Sequence, residues 1–251
     1  MLGILREMFE GLLKKIRIVK KVGKTVAIFS LEMSKEQLTD RMISASVGIN
    51  SWKLAKGDIS DEELVKVGEA MEELSKINIY IDDSAGGNLM DLKSKARRLK
   101  IQHGVDLIVI DYLQLMSNGN SLNRVQEISE ISRGLKGLAR ELEIPVIALS
   151  QLSRAVENRT DKRPILSDLR ESGSIEQDAD SVMMLYREDY YDTDSGAFEE
   201  IDEEEKKKTE GLTKLFVRKN RSGPVGDVDL KFEKQFQKFI SVDNRHDDNY
   251  M

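Results

Sequence analysis

The 251 residues predict an α/β fold, with a mainly parallel sheet, flanking helices and a carboxyl-terminal β-meander. Three observations predict it. Short, almost wholly apolar runs, VAIFS (26–30), INIYID (77–82), DLIVID (106–111) and PVIALS (145–150), alternate with long stretches of helical periodicity. Strands apolar on both sides need cover on both faces, which is how a parallel sheet is built. Helix starts are spelled out by capping boxes, Ser34-x-x-Gln37 and Ser60-x-x-Glu63, in which side chain and backbone satisfy each other's end groups. Beyond about residue 180 the runs SVMMLYRED, GLTKLFVRKN, VGDVDLKFE and FQKFISVD follow one another without helices, and they read as a meander that extends the parallel sheet.

Taken in order, residues 2–19 place Leu2, Leu5, Phe9, Leu12, Leu13 and Ile16 at helical spacing between Lys and Arg. Such a basic amphipathic helix suits packing on a sheet or a neighbouring subunit, or a membrane surface. Gly23-Lys24-Thr25 then copies the last letters of G-x-x-x-x-G-K-[ST], whose backbone N–H groups cradle phosphates between a strand and a helix. Position 18 is Ile18, the upstream residues look helical, and a strand-like run follows, so this is a turn entering a strand. Between the later strand-like runs, DTDSGAFEEIDEEEKKKT reads as a solvated surface loop. No internal repeat or linker is evident, which gives an amphipathic start (1–25), one main domain (26–243) and a tail (244–251).

Composition narrows the function classes. With 39% hydrophobic and 33% charged residues the chain is globular, and without Cys it has no disulfides or thiolate metal sites. His103 and His246 alone cannot build a zinc site. No apolar run is long enough to span a bilayer and no signal-peptide pattern is present, so the expected location is cytoplasmic, away from membranes. A net charge of −6 argues against indiscriminate nucleic-acid binding but allows a local basic surface.

In an open α/β sheet, ligands bind beyond the carboxyl ends of the strands. Asp111 follows four apolar residues in LIVIDYLQL, where a carboxylate either holds nucleotide-bound Mg²⁺, directly or through water, or caps the next turn. Glu32, past VAIFS, is placed as a general base for water or as a solvated residue at a helix start. Gln151 ends IALSQ, as a hydrogen-bond donor to a terminal phosphate or as an ordinary polar strand end. The next loop carries Arg154, Arg159, Lys162, Arg163 and Arg170, with Gly173 between Ser172 and Ser174. It suits a phosphodiester backbone or a solvated basic surface, and its lack of aromatic residues leaves little base stacking. Lys219 and Arg221 precede a Gly-Pro turn, as a charged hairpin or as cations projected onto a phosphate.

Together, SLEMSKEQL, LIVIDYLQLM, EISRGLKGLARELEIPVIALSQLSR, DKRPILSDLRESGSIEQDAD and KNRSGPVG resemble the carboxyl-terminal motor domain of the DnaB family of replicative helicases, in order from about Val26 to about Val242. The resemblance implies a RecA-like P-loop NTPase fold, a hexameric ring around single-stranded DNA, and 5′–3′ translocation driven by ATP with Mg²⁺. It implies that Glu32 is the catalytic glutamate, Asp111 the Walker-B aspartate and Gln151 the sensor linking γ-phosphate to the DNA loop. Arg170, Glu171 and Gly173 match the DNA-contacting segment, and Lys219 with Arg221 match cations supplied across the subunit interface. In the family the phosphate loop lies upstream of the strand matching VAIFS, and residues 1–19 hold no G-x-x-x-x-G-K-[ST]. The amino-terminal domain that engages primase is also missing from these residues, although primase and a helicase loader remain the partners the family implies. The expectation is therefore a helicase motor impaired on its own, set against a non-catalytic, motor-derived DNA-binding or ring subunit. A recombinase or clock-type ATPase on the same fold fits SGSIEQDAD and KNRSGPVG less well.

Overall fold

The computed structural model describes residues 23–84, 87–117, 123–169, 173–189 and 210–242. The helix expected at 2–19, the charged run at 192–209, Arg170 and Glu171 lie outside the described residues. The first sheet has four parallel strands in the order β2 (Ile79–Asp82), β1 (Val26–Ser30), β3 (Leu107–Asp111), β4 (Val146–Ala148). Val26 sits opposite both Ile79 and Leu107, Ser30 opposite Asp111, and Ile108 opposite Val146. These are the four runs that the sequence marks, the first in full and the other three trimmed by a residue or two at one end or both.

Because side chains alternate along a strand, each run serves two layers. Ala27, Phe29, Ile108 and Ile110 pack with Leu92 and Ala96 of α4 (Leu89–His103) and with Ile128, Ile131 and Leu138 of α5 (Arg124–Leu142). Val26, Ile28 and Val109 face the other way, with Leu38 and Met42 of α1 (Lys35–Val47). Ile108, Ile110, Ile128, Ile131 and Leu138 are fully buried, and each of them contributes about 1.5–3 kcal/mol by leaving water. Both predicted capping boxes are formed, at Ser34 before α1 and at Ser60 before α3 (Asp61–Ser75). Between them α2 (Ser51–Lys56) is capped by Asn50, and its first N–H reaches Gln235 C=O at 3.1 Å.

After the short helix α6 (Gly173–Asp178), whose Ile175 joins the first core, the chain forms β5 (Ser181–Arg187), β6 (Leu212–Asn220), β7 (Gly226–Glu233) and β8 (Lys238–Ser241). They are consecutive antiparallel neighbours, as a meander requires. The expectation that they extend the parallel sheet is corrected: they hydrogen-bond as a sheet of their own. The reason lies at β4, which is three residues long, and in the loop after it, where Leu152 bridges Leu169. Val182, Met184, Tyr186 and Phe216 pack on Leu152, Leu166 and Leu169 of that loop, so side chains join the two sheets.

Candidate active site

Parallel strands all end on the same edge of a sheet, and β1, β3 and β4 lead there to Glu32, Asp111 and Gln151. Neighbouring strands are about 4.8 Å apart, so these three residues span roughly 10 Å along the edge. Glu32 is exposed on the turn between β1 and α1. That turn is shaped by Ser30, whose buried hydroxyl donates to Met33 C=O at 2.7 Å and accepts from Met33 N–H at 3.2 Å. The N–H of Leu31 donates to Asp111 C=O at 2.8 Å and ties the Glu32 turn to the end of β3. Asp111 itself is only 2% exposed. A cis peptide joins it to Tyr112, and the short 3-10 turn Leu113–Leu115 follows.

Gly23-Lys24-Thr25 enters β1 at the opposite edge, roughly 16 Å away along a five-residue strand. There Lys24 pairs with Asp106 at 3.0 Å, and Thr25 N–H donates to the same carboxylate at 2.9 Å. The Thr25 N–H and Lys24 hold the Asp106 carboxyl below its usual range. The lysine is therefore a strut between β1 and β3, as a turn-entry reading requires.

Lys219 and Arg221 gather elsewhere. Lys219 Nζ donates to Glu176 C=O and, at 3.4 Å, to Gln177 C=O, while Arg221 Nη2 donates to Gln177 C=O at 2.7 Å. These are carbonyls at the carboxyl end of α6, where a helix leaves acceptors unpaired and concentrates negative potential. Arg221 also pairs with Asp180 at 3.2 Å, and Lys136 of α5 pairs with the same carboxylate. Lys136 first, with Arg221 and Lys219 adding, pulls the Asp180 carboxyl below its usual range against a smaller effect of burial. Gly173 opens α6 at its exposed end.

A family description of the DnaB-like helicase C-terminal domain matches residues 8–241. The chain belongs to this family. It is 50% identical over 233 residues to the replicative DNA helicase DnaB of Geobacillus stearothermophilus and 48% identical to the replicative DNA helicase DnaC of Bacillus subtilis (strain 168). Each match covers 92% of this chain and 49% of the relative, so the chain spans about half the length of these curated relatives. Two solved structures superpose on 92% of it at 41% identity. One is an ATPase domain, with a TM-score of 0.81 and 79% of its length matched. The other is a DnaB-like replicative helicase described with its interactions with primase, with a TM-score of 0.80 and 54% of its length matched. The fold is the RecA-like one of these DnaB-like ATPase domains.

Within this DnaB-like domain the Arg-rich loop has a hidden organiser. Asp168, 5% exposed, pairs with Arg159 at 2.7 Å and accepts the N–H of Ile165 at 2.8 Å, while its C=O accepts Ser153 N–H at 2.8 Å. Arg159 also donates to Arg163 C=O at 2.9 Å. Arg159 is thus spent on the shape of the loop, which leaves a smaller basic surface than the sequence suggests. Sequence reasoning also missed Ser30 and Gln114. The signal for Gln114 was present, a polar residue between two leucines three positions after Asp111.

Proposed function

We propose that this chain is the motor domain of an ATP-dependent replicative DNA helicase, with Glu32, Asp111 and Gln151 as its nucleotide side. The observation that carries the reading is the convergence of these three on one edge of three adjacent parallel strands. Among the described residues there is no group of three or more His, Cys, Asp or Glu placed to hold a metal ion. That suits Mg²⁺, which is held by one or two carboxylates together with substrate phosphates rather than by a protein cage. Asp111 would hold it, directly or through water, and the ion would neutralise charge on the phosphates. Glu32, on its exposed turn, would take a proton from the attacking water, and Gln151 would donate to the terminal phosphate. Lys219 and Arg221 would serve the site of a neighbouring subunit in a ring, so turnover would depend on assembly. Arg170, Glu171 and Gly173 would meet the backbone of single-stranded DNA. Primase and a loader are the protein partners this reading anticipates, the first because a solved relative is described with primase.

Residues 1–251 contain no G-x-x-x-x-G-K-[ST]. We infer that this polypeptide by itself binds nucleotide weakly, because the cradle and its Lys supply charge-assisted hydrogen bonds of about 1.5–3 kcal/mol each. A second reading is a ring or DNA-binding subunit that hydrolyses nothing. Sedimentation with and without ATP·Mg²⁺ and single-stranded DNA, then an ATPase assay on what assembles, separates them. The polypeptide alone is expected to show background turnover. Addition of a polypeptide bearing the phosphate loop should restore turnover that Glu32→Ala abolishes; no turnover in any such mixture would leave the second reading.

A further inference from the structure

Beyond Asp111 the 3-10 turn sends the side chain of Gln114 across to the end of the neighbouring strand. Its Oε1 accepts Gln151 N–H at 3.0 Å, and its Nε2 donates to Ser150 Oγ at 3.0 Å and to Gln151 C=O at 3.4 Å. A backbone N–H only donates and a backbone carbonyl only accepts, so Gln151 dictates which end of the amide faces which group. A side chain thus supplies Gln151 with the pairing that a strand would offer, just past the end of β4. The turn is anchored in its own right. Arg124 of α5 donates from Nη2 to Gln114 C=O at 2.6 Å and from Nη1 to Met116 C=O at 3.1 Å, and Glu127 pairs with the same guanidinium. On the far side of Gln151, Leu152 bridges Leu169, the residue before Arg170.

We propose that Gln114 is a positioning residue that locks the backbone of Gln151 to the turn following Asp111, so that movement at the end of β3 is passed through Gln151 and the Leu152–Leu169 bridge to the segment carrying Arg170. The roles of Asp111, Gln151 and Arg170 in this inference rest on the proposed function, whereas the clamp rests on geometry alone. Arg124 is the fixed point of the device. The chemistry asks for an amide: a carboxylate keeps the acceptor for Gln151 N–H and loses the donor, and an apolar side chain loses both.

The test is amide hydrogen exchange, followed by NMR on the 251-residue polypeptide, beside titration of a fluorescent oligothymidylate at several salt concentrations. In Gln114→Ala the Gln151 amide should exchange roughly five- to tenfold faster, and in Gln114→Glu within about twofold of wild type, as loss and retention of one hydrogen bond require. DNA affinity should fall about severalfold in Gln114→Ala with an unchanged salt slope, since no phosphate contact is removed. Should Gln114→Ala not fold, Gln114→Met, similar in length and without either hydrogen-bonding group, is measured in its place. An unchanged Gln151 amide overturns the clamp, and full DNA affinity in a variant whose Gln151 amide is freed overturns the relay. A wild-type protein that binds no DNA at any salt would remove the relay together with the DNA reading, while the exchange rates still decide the clamp.

Discussion

Arg159 and Arg170 stand eleven positions apart in one basic loop, yet the structure gives the first a task that excludes the proposed task of the second. Arg159 is held by buried Asp168, so Arg159→Ala should destabilise the fold by about 1.5–3 kcal/mol, the range for a hydrogen bond to a charged group. Urea unfolding measures that loss, and the salt slope of single-stranded DNA binding should stay at its wild-type value. Arg170→Ala should do the reverse, leaving stability intact while the slope falls by about 1, as loss of one phosphate contact requires. Equal slopes in the two variants would contradict the division of labour. The positions of Glu32, Asp111 and Gln151 at or just past strand ends could be read from the sequence because apolar runs announce where strands end. The Arg159–Asp168 pair could not, because a loop has no periodicity to say which of five cations folds back on which carboxylate. Ser30 was hidden for a related reason: a hydroxyl at the end of a strand gives no sign that it will close a turn onto Met33.

At the scale of elements, the turn into β6 depends on one glycine. Gly211 has φ +76°, and a Cβ there would lie 2.2 Å from Phe232 C=O, the residue whose N–H donates to Gly211 C=O at 2.7 Å. Gly211→Ala should therefore cost more than about 2 kcal/mol, through strain at a left-handed position and a forced parting of β6 from β7. A urea midpoint close to wild type would show that the meander yields there. The capping boxes were legible to the residue, since Ser-x-x-Gln and Ser-x-x-Glu specify reciprocal hydrogen bonds within four positions. The attachment of the meander was not. Whether β5 hydrogen-bonds to β4 or packs near it depends on where β4 stops, and PVIALS stays apolar beyond the last strand residue, Ala148.

Across the whole molecule, carboxylates stitch distant segments together, and their titration carries a sign. Asp106 is held below its usual range by Thr25 N–H and Lys24. Burial pushes Asp82 and Asp189 up, but Ser84 with Lys95 outweighs it at Asp82, and Lys234 with Arg187 at Asp189, so both end lowered. Groups with depressed folded-state pKa values contribute stability that is present above the ordinary carboxylate range, about pH 4, and lost as pH falls through the lowered values. The urea midpoint should therefore change little from pH 7 to pH 5 and fall at pH 3, and a higher midpoint at pH 3 would refute this. The parallel sheet and its cover on both faces followed from two-sided apolar runs, whereas the order of its strands and these long-range pairs depend on a third dimension that spacing does not encode. One such arrangement reaches furthest. Lys219 and Arg221 rest on the last carbonyls of α6, and Gly173, at the proposed DNA face, is the first residue of that same helix. A helix of only six residues thus joins the two: in the proposed ring, a displacement of Gly173 on DNA would be felt at both cations through it, and the grip on DNA by one subunit would set the moment at which its neighbour fires.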